Sequence, residues 1–132
     1  MTIEDIESNL PNGFHDAILK KICIDYEKNE AFFDIDLDSS VPDLPDNDTK
    51  GNVFSRRLFL SGLVFCIVET PTIQYTDSKV RGLWIASSGA VKPGQRSKGL
   101  PESIPDGAFV HFFFINNWNA SIYLAAMDAW LR

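Results

Sequence analysis

The stretch LPNGFHDAILKKICIDYEKNEAFFDIDLD, Leu10 to Asp38, decides the fold. It opens on a turn, passes through the pair His15-Asp16, and continues as two alternating segments joined by a short polar loop. Ile22, Ile24 and Tyr26 fall on one face, and Ala31, Phe33, Ile35 and Leu37 continue that face after the turn Glu27-Lys28-Asn29-Glu30. Period-two alternation on both sides of a turn predicts an antiparallel hairpin with one buried face. Its strands should run from about Ala17 to Tyr26 and from about Ala31 to Asp38. The expected pairing places Ile24 against Phe33 and Ile22 against Ile35. On the opposite face it places Lys21 against Asp36 and Cys23 against Asp34, the charged pair adding roughly 0.2–1 kcal/mol.

Upstream, Thr2 and Asp5 have the spacing of a capping box, in which each side chain bonds the other residue's backbone N–H. Ile3, Ile6 and Leu10 then share one side at helical spacing, and Pro11 and Gly13 end the helix. Downstream, SSVPDLPDNDTKGN (Ser39–Asn52) has prolines, a glycine and no periodicity, so it reads as a loop. Val53 to Thr70 is apolar at both parities in its middle, the pattern of a central strand covered on both sides, with a bend at Ser61-Gly62. A strand at about Leu83–Ser87 carries Trp84. Ser88–Gly107 reads as a second long loop, of a length usually tied to function. Ala108–Ile115 (AFVHFFFI) is a further apolar strand. Asn116-Asn117 suits a turn, since Asn tolerates left-handed backbone. Asn119–Arg132 fits strand or helix spacing, and the tight turn before it favours a strand returning along Ala108–Ile115.

At 132 residues the chain is expected to be one domain, residues 1–132. The fold expected is mainly β, with α+β as the neighbouring class. Five or six strands should form a curved antiparallel sheet or small sandwich with a short N-terminal helix. Ten Phe and three Trp suit such a core. The net charge of −6 argues against nucleic acid, whose recognition needs clustered cations. An acidic surface favours a basic protein partner instead. Cys23 and Cys66 read as buried free thiols. MTIEDIESNL lacks the features of a secretory signal, and no apolar run is long enough for a bilayer, so a cytoplasmic location is expected. The residues set no oligomeric state.

Several residues carry candidate chemistry. His15 beside Asp16 has the composition of a general base or a metal ligand. Adjacent side chains rarely converge on one atom, so the reading preferred is structural: the Asp16 side chain bonds the backbone of the preceding turn. His111, the other histidine, lies within an apolar strand and reads as a satisfied core residue. Asp34, Asp36 and Asp38 share a strand face, with Asp43, Asp46 and Asp48 in the following loop. Alternate strand residues stand roughly 6–7 Å apart, too far to cage calcium, so these six read as an acidic face open to a partner. Gly94–Gly99 departs from the phosphate-loop spacing. No motif calls for a cofactor or a metal, and the chain reads as leaning away from catalysis. An enzyme or ligand-binding protein with a His15/Asp16 pocket is the alternative.

The combination FHDAILxxIxIDY (Phe14–Tyr26), LFLSGL (Leu58–Leu63), GLWI (Gly82–Ile85) and WNASI (Trp118–Ile122) resembles small bacterial proteins of unassigned role. Its His-Asp-Ala opening is similar to one among immunity proteins of polymorphic toxin systems. That resemblance implies a cytoplasmic protein that binds and blocks a cognate toxin. It carries no catalytic residue to transfer.

Overall fold

A computed structural model of the chain describes residues 1–38, 53–73, 81–92 and 99–132. Helix α1 (Ile3–Ser8) is followed by strands β1 (Ile18–Asp25), β2 (Glu30–Asp38), β3 (Val53–Ser61), β4 (Phe65–Val68), β5 (Leu83–Ala90), β6 (Phe109–Ile115), β7 (Ala120–Ala126) and β8 (Asp128–Leu131). The strands form one antiparallel sheet in the order β4-β7-β6-β5-β1-β2-β3-β8. The mainly β architecture with a short N-terminal helix is as the sequence predicts. The count of eight among the described residues exceeds the five or six expected, because two runs read as single strands each break in two.

The first break is at Gly62. Its φ is +60°, and a Cβ there would lie 2.6 Å from Met127 Cγ. Only glycine accepts both that conformation and that approach. The chain therefore leaves β3, which lies between β2 and β8, and restarts as β4 at the far edge beside β7. The second break is at Met127, whose N–H donates to the carbonyls of Ser61 and Gly62 at 3.1 Å each. It divides the C-terminal run into β7, paired with β6, and β8, paired with β3. Two strand-to-strand corners thus meet, and they curl the sheet around its core. Val53–Thr70 is accordingly not a single central strand, and the first five residues of β3 are exposed.

The hairpin keeps its predicted faces but slides by two residues. Ile22 pairs with Phe33, Ile24 with Ala31, Lys21 with Asp34 and Cys23 with Phe32. The turn explains the slide. Asp25 Oδ1 accepts from the N–H groups of Glu27 and Lys28, at 3.0 and 3.1 Å, and Asn29 takes a φ of 52°. Asp25 and Glu30 are therefore already paired strand residues. A slip of two preserves the inward set, so alternation alone could not detect it. Tyr26 is a consequence: it sits in the turn, 76% exposed, outside the core face. A bulge between Leu19 and Lys21 adjusts the start of β1.

The core gathers Ile3, Ile6, Phe14, Leu19, Phe33, Ile35, Leu58, Leu60, Ile85, Phe113, Ile115, Ile122 and Leu124. The helix is fixed by the capping box expected of Thr2 and Asp5, with both reciprocal bonds formed. β5 runs on to Ala90, so Ser88, Gly89 and Ala90 belong to the sheet and not to a loop. Both cysteines are free, but Cys23 is exposed and only Cys66 is partly buried. No helix among the described residues is long and apolar enough to cross a membrane.

Candidate functional site

His15 and Asp16 sit where the chain enters β1. Asp16 has a φ of 63°, and its N–H donates to the Ile85 carbonyl at 2.9 Å. Its Oδ1 accepts from the Trp84 indole N–H at 3.0 Å. The side chain thus bonds β5 and not the backbone of the Leu10–Gly13 turn. His15 Nδ1 lies 2.6 Å from the Ala86 carbonyl oxygen, which can only accept, so that nitrogen carries a proton. Nε2 stands 3.6 Å from Asp16 Oδ2, and the ring is largely exposed. The pair staples β1 to β5.

His111 lies elsewhere, 1% exposed on β6. Its Nε2 is 2.7 Å from Ser88 Oγ and 3.2 Å from Glu7 Oε2, and Ser88 Oγ donates to the same carboxylate oxygen at 2.8 Å. Burial raises the Glu7 carboxyl, but hydrogen bonds from His111 and Ser88, with the charge on His111, outweigh it and leave the group below its ordinary value. A serine, a histidine and a glutamate in contact invite comparison with a hydrolytic triad. The geometry is wrong for one. In a triad the carboxylate holds Nδ1, leaving Nε2 free to take the serine proton. Here the carboxylate and the hydroxyl share Nε2. An ionised carboxylate can only accept, so the Ser88 O–H is given to it, and the His111 Nε2–H is shared between it and the Ser88 oxygen. The histidine has no lone pair to offer Ser88. Phe113 meets the His111 ring edge-on at 5.3 Å and Phe14 at 5.4 Å, closing an aromatic wall behind the cluster. What results is a polar tie between α1 and the sheet.

The face of β1-β2-β3-β8 turned away from the core is more open. Cross-strand register aligns Cys23, Phe32, Phe59 and Trp130 in one row. Phe59 and Trp130 stack with centroids 5.5 Å apart and planes 6° from parallel. Guanidinium groups cap the row: Arg57 lies over Phe32 at 4.0 Å and Arg132 over Phe59 at 5.3 Å. Lys21, Asp34 and Arg57 form the next row. On the other side of the aromatics lie Asp25, Glu30, Ser61 and Asp128. The face is thus acidic at one end, aromatic in the middle and cationic at the other. A groove of about 330 Å³ runs beside the aromatics, bordered by Asp25, Glu30 and Trp130. Trp130 Nε1 is buried without a hydrogen-bond partner among the described residues.

Two of the carboxylates expected to form an acidic face, Asp34 and Asp36, are matched by cations. Arg57 holds Asp34 through two bonds, Nε to Oδ1 at 2.7 Å and Nη2 to Oδ2 at 3.1 Å. That hydrogen-bonded pairing lowers the Asp34 carboxyl against the opposing effect of desolvation. Asp36 receives Ser55 Oγ at 2.7 Å and lies 3.3 Å from Lys20 Nζ. Asp38 closes the row opposite Val53. Asp43, Asp46 and Asp48 lie outside the described residues, as does most of Gly94–Gly99. Sequence reasoning missed Glu7 and Ser88, which are 81 positions apart. It missed the aromatic row too, because outward Phe residues look like core residues until the register is known.

No protein-family model matches the sequence, and no curated protein sequence matches it. Among solved structures, the fold is similar to the crystal structure of an uncharacterized protein from Neisseria gonorrhoeae. The two chains are 14% identical, with a TM-score of 0.52, over 90% of this chain and 92% of that one. The likeness is one of fold.

Proposed function

We propose that the protein is a non-enzymatic protein-binding module, an immunity-like inhibitor of a cognate toxin, and that it binds through the outer face of β1-β2-β3-β8. The observation that carries this reading is the half-buried outer-face row Phe32, Phe59 and Trp130 with guanidinium groups over it. Trp and Arg, anchored by packing and ringed by charge, are the residue types that dominate binding energy at protein interfaces. The resemblance of the His-Asp-Ala opening to immunity proteins supplies the class of partner.

The alternative is an enzyme or ligand-binding protein with a pocket at His15 and Asp16. That pair is engaged with Trp84 and Ala86, and His111 has separate partners on β5 and α1. Geometry therefore favours the binding reading.

Co-expression tests it. The neighbouring genes are searched for a toxin domain, which is produced in cells with and without the protein, and survival is counted. Protection by the wild type and by Ser88→Ala supports the proposal. No protection, or protection lost in a folded Ser88→Ala variant, contradicts it.

A further inference from the structure

The acidic end of the outer face carries the chemistry of what it selects. We infer that the groove bordered by Asp25, Glu30 and Trp130 seats a lysine side chain of a partner protein. The inference rests on the reading of the molecule as a protein-binding module and names the group that this face takes.

Cross-strand register sets Asp25 directly opposite Glu30, and both side chains are exposed on the outer face. Like charges opposite each other on a ladder oppose its pairing, so this pair does not serve the hairpin. Asp25 has a local task, since its Oδ1 accepts from the N–H groups of Glu27 and Lys28. Glu30 has none. Among the described residues no cation lies within ion-pair distance of its carboxylate, and no donor bonds its side chain. Asp34 and Asp36, further along β2, each have a cation of their own. The negative charge left open on β2 is thus concentrated at Glu30, with Asp25 beside it.

Two residues along each strand the face turns aromatic, in the row Cys23, Phe32, Phe59 and Trp130. The groove of about 330 Å³ joins these two rows. Strand positions two apart stand roughly 6–7 Å from each other, about the reach of a lysine's four-carbon stem. A lysine laid across the rows sets its methylenes on the rings and its ammonium beside Glu30 and Asp25, an amphipathic side chain on an amphipathic seat. The ring faces attract the same charge. Arginine suits the seat less well. Its flat fork seeks an aromatic face, and the protein's own guanidinium groups already cover Phe32 at 4.0 Å and Phe59 at 5.3 Å. Trp130 Nε1, buried with no acceptor among the described residues, adds a second attraction. An indole N–H can only donate, and the segment that brings the lysine also brings backbone carbonyls.

The test follows the Trp130 indole N–H resonance in ¹⁵N-labelled protein, assigned by its loss in Trp130→Phe. The probe is a peptide of about ten alternating Lys and Thr residues, with counterparts carrying Nε-acetyl-lysine, Arg or Glu in place of Lys. The Lys peptide should bind, shift the Trp130 indole and the Glu30 amide, and bind roughly tenfold more tightly than the acetylated one. The Arg peptide should bind more weakly than the Lys peptide, and the Glu peptide not at all. Glu30→Gln should weaken the Lys peptide roughly fivefold or more, with Glu102→Gln staying within about twofold of wild type. Glu102 is the control for net charge, because it lies between Pro101 and Ile104, which line a cavity with Phe65 and Val110 in the other half of the sheet. The comparison of Lys with acetyl-lysine on the wild type stands whether or not a variant folds. No binding, or equal binding by the acetylated or the Arg peptide, overturns the inference. Equal losses in Glu30→Gln and Glu102→Gln also overturn it, leaving attraction by the net charge of −6 alone. A toxin complex that forms while the Lys peptide fails refutes the lysine seat and spares the binding reading.

Discussion

Replacing Glu7 by Gln tests the polar tie between α1 and the sheet. The side chain keeps its shape and loses its charge. Two donors converge on Glu7 Oε2: Ser88 Oγ at 2.8 Å and His111 Nε2 at 3.2 Å. Hydrogen bonds to a charged group contribute roughly 1.5–3 kcal/mol and neutral ones about 0.5–1.5. Losing the charge from both bonds should therefore cost about 1–2 kcal/mol. Glu7→Ala should cost more, about 2–4 kcal/mol, because the Ser88 O–H and the buried His111 N–H both lose their charged acceptor. The folded carboxyl titrates below its ordinary 4.5. Its stabilisation is therefore fully present above about that pH and fades as pH falls through the folded value. Urea denaturation of wild type and Glu7→Gln, from neutral pH down to about pH 3, measures this. The gap should be open at neutrality and narrow in acid. In a cycle with Ser88→Ala the two substitutions should couple. A gap below about 0.3 kcal/mol at neutrality, or one that widens in acid, would refute the assigned tie.

Gly62→Ala should destabilise by roughly 2–4 kcal/mol, since it adds left-handed strain to a clash with Met127, and urea unfolding reads the loss. Asp16→Ala should lower stability by about 1–3 kcal/mol and alter Trp84 fluorescence, whereas Asp16→Asn, which keeps an acceptor and tolerates positive φ, should stay near wild type. Burial pushes the Cys66 thiol up to about 11, so at about pH 8 a thiol reagent should label exposed Cys23 quickly and Cys66 slowly, as peptide mass spectrometry would show.

The hairpin's faces were legible because alternation reports which side is buried. Its axial offset was not, because the offset depends on how Asp25 and Asn29 fold the turn. The capping box was legible because its two residues are local. The splitting of Val53–Thr70 was half legible: Ser61-Gly62 announced a bend, but its severity depends on Met127 arriving from the other end of the chain. The site suffered most from distance. Glu7, Ser88 and His111 meet only after α1, β5 and β6 are assembled. The aspartates of β2 looked like an open acidic face until β3 brought Arg57 and Ser55 beside them. Phe32, Phe59 and Trp130 become a surface row only when three strands are in register.

The central claim is that the outer face of β1-β2-β3-β8 binds a protein. The most direct measurement is a calorimetric titration of a toxin domain found among the neighbouring genes, in catalytically inactive form, against wild type, Trp130→Ala and Ser88→Ala. Each protein's fold is first checked by thermal melt. A central aromatic anchor contributes about 2 kcal/mol or more, so Trp130→Ala should weaken binding roughly thirtyfold or beyond, with Ser88→Ala unchanged. Folded Trp130→Ala binding as tightly as wild type, or no binding by the wild type, would contradict the account.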